Sequence, residues 1–224
     1  MTTNAKIFAF EPSVENLFCL TNTLLKLPAE LQNRVALFPI ALGKSNELRG
    51  LVEEQFNQGH HYISPKSNEN ELSAGGIIVR TADYIFGSPP MIDVLKVDTE
   101  GFECNVLDGA RRLLPNTFTL KAECVPEVLR QQGCSKMGLA NRLHLASFSL
   151  VMENFFDGSQ GAFVPISGWF KAPVDGIDIF GSSKRLLNVS LAELVGTYTV
   201  MGHLVEPDLQ YLSRILTNSN LITN

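Results

Sequence analysis

The chain contains few cysteines and no long apolar run. Its 224 residues include four cysteines, and none of them lies in the Cys-x-x-Cys spacing of redox and zinc-binding motifs. No stretch approaches the roughly 20 apolar residues that cross a bilayer. The apolar residues after Lys6 are too few for the core of a secretion signal, because Glu11 interrupts them. We therefore expect reduced cysteines and a cytoplasmic location without a membrane span.

Clusters of basic residues are also scarce. The chain has 18 basic and 23 acidic side chains, a formal net charge of −5, and its only adjacent basic pairs are Arg111-Arg112 and Lys184-Arg185. Binding to nucleic acid normally requires a basic face that displaces counterions, so nucleic acid is not an expected partner. With 45% apolar residues, a chain of this length predicts a single domain over residues 1–224.

Carboxylates directly follow two of the predicted strands. One buried strand ends at Val97 and is followed by Asp98 and Glu100, and the next strand, residues 117–122, is followed by Glu123. In open α/β sheets, ligands bind at the carboxyl ends of the strands, because the strand-to-helix loops converge there. Asp98, Glu100 and Glu123 are therefore the candidate catalytic residues, in that order of preference.

A third predicted strand, residues 6–10, also ends in an acid. Glu11 follows it, and Pro12 or Ser13 opens the helix predicted over residues 13–27. A carboxylate at such a strand tip can accept hydrogen bonds from the two vicinal hydroxyls of a ribose.

Several polar residues in and near these loops also have a purely structural interpretation. Glu100 with Gly101 is equally typical of a helix start, where an acid complements the helix dipole. We expect Glu103 on the surface, one turn into its helix. Asp83 is expected to cap the N-terminus of a helix. The adjacent histidines at 60 and 61 could face a pocket or bind a metal, but we expect them to lie exposed in a polar loop.

Strand-like and helix-like segments alternate along the chain. Predicted strands cover residues 6–10, 35–41, 48–56, 77–79, 91–97, 117–122, 148–152 and 176–180, and predicted helices cover residues 13–27, 83–86, 103–113, 127–132, 137–146 and 209–216. This alternation predicts an α/β fold with a mainly parallel sheet and helices on both faces. The aromatic residues of the predicted loop 155–173 are expected to pack that loop onto the core rather than to line a substrate entrance.

Several segments, taken in order, resemble the FkbM-type S-adenosylmethionine-dependent methyltransferases. The similarity runs from about residue 7 to 123, and its most specific part is Lys-Val-Asp-Thr-Glu-Gly-Phe-Glu at 96–103 joined to Val-Leu-Asp-Gly-Ala at 106–110; the other segments are residues 8–12, 35–43, 57–59 and 81–83. The resemblance implies a Rossmann-like methyltransferase sheet and S-adenosylmethionine as cofactor.

The resemblance also assigns expected roles to individual residues. It implies that Glu11, Pro12 and Asp98 bind the cofactor, and it places Asn57 and Gly59 near the substrate, where His60 is a further candidate. The implied acceptor is a hydroxyl group on a small molecule or carbohydrate. Asp98 and Glu100 could act as a general base or hold a divalent cation, although a resident metal is not expected.

The chain departs from this family at its start. The glycine-rich cofactor turn that precedes the acid equivalent to Glu11 by about 20 residues would fall before residue 1. We therefore expect a domain that lacks its first βα unit, with residues 184–224 as a C-terminal extension and with weak cofactor binding. In the sheet order that the resemblance implies, the missing strand lies between those ending at Glu11 and Asp98, so its loss leaves two unpaired edges.

Two other classes of function compete with this interpretation. Asp98-Thr99-Glu100 also resembles the acid-x-acid element with which many glycosyltransferases hold a metal and a sugar nucleotide, and manganese-dependent binding would support that alternative. The other alternative is a non-catalytic fragment or paralogue that binds nothing or pairs with a chain supplying the missing strand.

Overall fold

The structure is a computed structural model that describes residues 5–53, 61–65, 76–155, 164–169 and 176–183. The strands within these residues are β1 Ile7–Phe10, β2 Val35–Phe38, β3 Ala41–Leu42, β4 Glu47–Arg49, β5 Leu51–Glu53, β6 His61–Ile63, β7 Ile77–Arg80, β8 Ile92–Val97, β9 Thr117–Glu123, β10 Phe148–Phe155, β11 Val164–Pro165 and β12 Gly176–Ser183. The helices are α1 Val14–Leu25, α2 Ala29–Gln32, α3 Ala82–Phe86, α4 Glu103–Asp108, α5 Pro126–Gln131, α6 Lys136–Leu145 and α7 Ile166–Trp169, with a 3-10 turn at Leu114–Asn116. The predicted helix at 209–216 lies outside the described residues.

The largest sheet has five strands in the order β11-β10-β12-β9-β8. Strands β8 and β9 are parallel, with Ile92 opposite Thr117 and Val97 opposite Ala122. The pairs β9–β12, β12–β10 and β10–β11 are antiparallel. The expectation of a mainly parallel sheet is therefore wrong, although the α/β class is confirmed. Alternation of helices and strands predicts crossover connections but does not reveal that β12 returns beside β9 in the opposite direction.

Three smaller sheets account for the remaining strands. Strands β1 and β2 form a parallel pair, β3-β7-β4 form a mixed sheet, and β5 and β6 form an antiparallel pair. The strand predicted over residues 35–41 is divided after Phe38, at Pro39, which lacks the N–H needed to continue a ladder. The strand predicted over 48–56 is interrupted at Gly50, and its end lies outside the described residues.

The core lies against the five-stranded sheet. Leu107 of α4, Leu120 of β9, Leu143 of α6 and Phe148 of β10 are at most 1% exposed. Burial of one such side chain stabilises the fold by roughly 1.5–3 kcal/mol. All four residues lie between β8 and β12 in the chain, where most of the buried apolar side chains of the described residues are found.

Helix α1 contributes little to this core. Ser13 caps its N-terminus, as one of the two sequence alternatives predicted, by accepting a hydrogen bond from the Asn16 N–H at 3.4 Å. None of its residues is buried, and the side chains of Val14 and Phe18 are 74% and 70% exposed. The predicted helix is confirmed, but its apolar face is only partly covered within the described residues: Leu17 and Leu24 are half-buried, whereas Val14 and Phe18 are exposed.

Trp169 belongs to helix α7 rather than to an irregular loop. It is 1% exposed, and the Lys136 ammonium lies 4.7 Å from its ring centroid. The expectation that loop aromatics pack onto the core is confirmed for this residue, whereas Phe156, Phe163 and Phe170 lie outside the described residues.

Two of the four cysteines are bonded to each other. A disulfide joins Cys104 to Cys134, with 6.2 Å between their Cα atoms, whereas Cys19 and Cys124 are free thiols. The expectation of four reduced cysteines is therefore wrong for this pair, because a distant pairing leaves no Cys-x-x-Cys signature.

No helix among the described residues combines the length and apolarity that a membrane crossing needs.

Gly43 and Gly109 bring two loops into direct backbone contact. A Cβ atom at Gly109 would overlap the carbonyl oxygen of Gly43, and one at Gly43 would lie 2.6 Å from the Val79 Cγ1 and 2.9 Å from the Phe102 Cε1. The glycine of the Val-Leu-Asp-Gly-Ala segment is thus required for packing.

We expect Gly109→Ala to lower the free energy of unfolding by about 2 kcal/mol or more, because the added methyl group meets rigid backbone. Gly138→Ala in α6 is the matched control. Its Cβ would meet mainly the end of the flexible Arg142 side chain at 3.2 Å, and alanine favours helix by up to about 1 kcal/mol. Urea unfolding of both variants measures the difference, and equal stabilities would contradict the proposed contact.

Candidate active site

Three carboxylates meet at the carboxyl ends of β8 and β9. Asp98 and Glu100 lie in the loop after β8, and Glu123 is the last residue of β9. Because β8 and β9 are parallel neighbours, both loops leave the sheet at the same edge. One carboxylate oxygen from each residue lies within 4.8 Å of the others. The structure thus brings together the three residues that the sequence nominated as catalytic.

The loop between β8 and α4 turns sharply through two left-handed residues. Glu100 has a φ of +52° and Gly101 a φ of +93°. A Cβ at Gly101 would lie 2.5 Å from the carbonyl oxygen of Val128 in α5, so only glycine allows the loop to pack against that helix. A non-glycine residue with positive φ costs energy and persists where the surroundings hold it. This turn directs the Glu100 side chain towards Asp98 and Glu123.

Glu103 holds this turn from inside the protein. Its Oε1 accepts hydrogen bonds from the Thr99 N–H at 2.8 Å, the Thr99 hydroxyl at 3.0 Å and the Gly101 N–H at 3.3 Å. The side chain is 0% exposed, so the expectation of a surface residue is wrong. The capping-box pattern could not have revealed this role, because Phe102 is the N-cap of α4 and Glu103 is its first residue rather than its third.

Burial raises the pKa of Glu103 above its ordinary value, because the charged form loses its hydration. The hydrogen bonds to Oε1 oppose this shift without cancelling it. Its Oε2 atom is buried and has no hydrogen-bond partner in the part of the chain that the structure describes. Within the described residues, the Glu103 carboxylate is therefore hydrogen-bonded through Oε1 alone.

Asp98 is the most accessible member of the acidic cluster. Its Oδ2 lies 3.0 Å from the Lys96 ammonium, and the two side chains are 42% and 60% exposed. An exposed ion pair of this kind contributes at most about 1 kcal/mol. Asp98 can therefore exchange this partner for a ligand at little cost.

A cluster of three carboxylates can act chemically in two ways. One carboxylate can take a proton from a bound hydroxyl group, as a general base does. Alternatively, the oxygens can coordinate a hard divalent cation such as Mg²⁺ or Ca²⁺, which prefers oxygen ligands. The separation within 4.8 Å is compatible with both.

Glu11 follows β1 and contacts the N-terminus of α1. Its Oε1 accepts a hydrogen bond from the Ser13 N–H at 2.8 Å, and its Oε2 accepts one from the Asn16 amide at 3.4 Å. Pro12 lies between, half-buried, and Ser13 is fully buried. The pair β1–β2 forms a sheet separate from β8 and β9. The expectation that Glu11 and Asp98 bind the same cofactor stays a prediction.

The predicted substrate residues Asn57, Gly59 and His60 lie outside the described residues. The neighbouring His61 opens β6, and its buried Nδ1 has no hydrogen-bond partner among the residues that are described. The pKa of Glu15 is lowered by hydrogen bonds from its own backbone and from Ser13, and His61 adds a smaller electrostatic contribution.

Asp83 has a different role from the one expected. Thr81 caps α3 by accepting the Tyr84 N–H at 3.0 Å. The Asp83 carboxylate instead accepts the backbone N–H groups of Arg112 and Leu113, at 3.0 to 3.2 Å. It joins α3 to the segment after α4, which is a structural function.

Asp108 likewise stabilises the fold. Burial raises its pKa, but ion pairs with Arg142 at 2.6 Å and Arg111 at 3.4 Å outweigh this and lower it overall. An open depression of about 420 Å³ beside it is lined by Lys44, Ser45, Asp108 and Arg111. None of these residues belongs to the acidic cluster.

Acids at the ends of adjacent parallel strands, each followed by a helix, are typical of α/β domains that bind ligands at the strand tips. The described residues share this arrangement of acids at the ends of two parallel strands. The family model of the methyltransferase FkbM domain matches residues 2–132, more than half of the chain. The chain therefore belongs to the FkbM methyltransferase family, as the sequence resemblance implied, and Glu11, Asp98, Glu100 and Glu123 all lie within the match.

One solved structure in the same family is similar to this chain. It is the crystal structure of methyltransferase FkbM from Methylobacillus flagellatus KT, which matches 79% of this chain at 18% identity with a TM-score of 0.47. The match covers 36% of that protein, so this chain spans little more than a third of its length. Family membership rests on the sequence match alone. No curated protein matches the chain significantly.

We expect the stability contributed by Glu103 to depend on pH with a definite sign. Its folded-state pKa is raised, so the folded protein binds more protons than the unfolded chain between the ordinary value of 4.5 and the raised value. The free energy of unfolding should therefore fall as the pH rises through this window.

Glu103→Gln keeps the accepting oxygen and removes the ionisation, so its unfolding free energy should fall less than that of the wild type as the pH rises. Glu30→Gln, on the exposed part of α2, reports the effect of losing a solvated negative charge. Denaturant unfolding from pH 4 upwards gives the comparison. Parallel profiles for wild type and Glu103→Gln would refute the assignment.

Proposed function

We propose that this chain is an S-adenosylmethionine-dependent methyltransferase that acts on a hydroxyl group of a small molecule or carbohydrate. Membership of the FkbM family supports methyl transfer in general. The observation that carries the finer proposal is the cluster of Asp98, Glu100 and Glu123 at one sheet edge. A hydroxyl acceptor must lose its proton, and such a cluster offers a group to take it.

Glu11 and Pro12 are the residues that we propose to bind the ribose of the cofactor. An ionised carboxylate has about four acceptor positions. Glu11 uses one on each oxygen, for the Ser13 N–H and the Asn16 amide. The remaining positions can receive the two hydroxyl groups of a ribose, with Pro12 alongside. When bound, S-adenosylmethionine would supply an electrophilic methyl group on a sulfonium sulfur.

The acidic cluster would then prepare the acceptor. Asp98, the most exposed of the three, is the proposed general base and a further cofactor contact, with Glu100 and Glu123 beside it. The buried Glu103 keeps the loop in shape, so that a bound hydroxyl group meets a carboxylate already in position. Because the hydroxyl group and the carboxylate are already held together, proton transfer between them becomes an effectively unimolecular step. Asn57, Gly59 and His60 are proposed to border the acceptor.

The separation of the carboxylates is also compatible with a variant in which a divalent cation lowers the acceptor pKa. Family membership favours methyl transfer over the glycosyltransferase alternative. The non-catalytic alternative predicts no cofactor binding. The experiments below separate these outcomes.

Substitution of Glu11 should weaken cofactor binding. We expect S-adenosylmethionine to bind weakly to the wild-type chain, and Glu11→Gln to reduce the affinity about ten-fold, because a charged acceptor for the ribose hydroxyls is lost. Glu15→Gln removes an exposed carboxylate from the same helix start and should leave the affinity unchanged. Ligand-observed NMR suits weak binding. Absence of binding to the wild type would support the non-catalytic alternative, and equal affinities would reject the role of Glu11.

Glu123→Gln should lower the rate of methyl transfer without changing the affinity for the cofactor. Asp98 is the proposed base, but Glu123 would share the proton or the cation with it, so loss of the Glu123 carboxylate should reduce turnover about 10²-fold. Release of S-adenosylhomocysteine, with a panel of hydroxylated small molecules and sugars as acceptors, measures the rate. Glu127→Gln, on the exposed side of α5, is the matched control.

The same assay distinguishes the two roles of the cluster. Activity that persists in EDTA supports the general base. Activity that EDTA abolishes and Mg²⁺ restores supports the cation-assisted variant. Full activity of Glu123→Gln would remove this residue from the mechanism.

A further inference from the structure

The Cys104–Cys134 disulfide joins the two chain segments that carry the acidic cluster. Cys104 lies in α4, directly after the loop that bears Asp98 and Glu100. Cys134 lies just after α5, the helix that follows Glu123. The bond therefore connects the β8–α4 unit to the β9–α5 unit, and it spans 30 residues of sequence.

One end of the bond is coupled to the acidic loop through α4. Cys104 follows Glu103, whose carboxylate binds the N–H groups of Thr99 and Gly101. Cys104 is 3% exposed and Glu103 is 0% exposed, so neither side chain can shift without disturbing the core. A displacement of the first turn of α4 is therefore transmitted to the loop.

The other end is anchored to α5. The Cys134 N–H donates to the Leu129 carbonyl at 2.9 Å, after a turn in which Gly133 has a φ of +74°. The same helix supports the acidic loop, because Gly101 packs against the Val128 carbonyl. The disulfide thus closes a ring that comprises the acidic loop, α4, the turn at 132–134 and α5.

We propose that Cys104 and Cys134 form a thiol–disulfide switch that sets the order of the loop bearing Asp98 and Glu100, and hence its spacing from Glu123. In the disulfide state, the two units are cross-linked and the loop is held between them. In the dithiol state, the loop is held by hydrogen bonds and packing alone, and it opens more often.

The redox step requires a partner disulfide. Two thiols transfer two electrons and two protons to oxidised glutathione, which leaves as two molecules of glutathione, and the Cys104–Cys134 bond forms. The reverse exchange restores both thiols. Cys134 is only 8% exposed, so exchange requires local opening of the turn after α5. The switch concerns loop order and is independent of the reaction that the cluster serves.

Thiol mapping combined with hydrogen exchange tests this proposal on the full chain. After treatment with oxidised glutathione, a peptide linking Cys104 to Cys134 should appear, whereas Cys19 and Cys124 should be recovered as alkylated thiols or as glutathione adducts. After reduction with a phosphine, the amides of residues 98–105 should exchange about ten-fold faster, whereas those of β10 should stay unchanged. The amides of β10 thus report global unfolding.

Two variants complete the experiment. Cys104→Ala combined with Cys134→Ala should show the fast exchange with and without reductant, whereas Cys19→Ser, at an exposed site of α1, should respond as the wild type does. If the double variant fails to fold, reduction of the wild type provides the same comparison. Labelling of Cys104 and Cys134 in oxidised protein would overturn the proposal. So would unchanged exchange on reduction, or equal acceleration in residues 98–105 and β10.

Discussion

The acidic cluster depends on one buried carboxylate. Glu103 accepts three hydrogen bonds from Thr99 and Gly101 through a single oxygen, and these bonds hold a turn in which Glu100 is left-handed. Without them, the N–H groups of the loop would lack an acceptor in a buried region, which is costly. The cluster therefore requires a charge-bearing group inside the protein, whose raised pKa reflects the desolvation that this position imposes.

The packing around Glu103 explains why the segment 96–110 contains several residues that cannot be replaced without disturbing the fold. Gly101 allows the loop to approach α5, Gly109 allows α4 to end against Gly43, and Asp108 pairs with Arg142. The most family-specific segment of the chain is thus largely a set of structural requirements. Asp98 and Glu100 are the members of this segment whose side chains the packing leaves near the sheet edge, facing Glu123.

Sequence reasoning succeeded where chemistry is local. The capping by Ser13, the strand ending at Val97 and the strand ending at Glu123 follow from short patterns of apolar, small and acidic residues, and the structure confirms them. It failed for Asp83, because its backbone partners Arg112 and Leu113 lie 29 and 30 residues away in the sequence. It failed for Glu103 for another reason: its partners are nearby, but they are reached only through a left-handed turn that packs against α5. The division at Pro39 could have been predicted, because proline cannot donate to a strand ladder. The antiparallel return of β12 could not, since pairing partners are set by three-dimensional proximity.

The amino-acid sequence alone determined the α/β class, the family and the three acids at the ends of neighbouring strands. Those features are encoded in periodicity and in residue types at strand tips, which need no knowledge of distant contacts. Only the tertiary structure decided that Glu103 is buried, that Cys104 is bonded to Cys134 and that the sheet is mixed. Each of these depends on which remote segments approach one another, and the balance of packing and desolvation that selects those approaches has no signature in a short window of sequence.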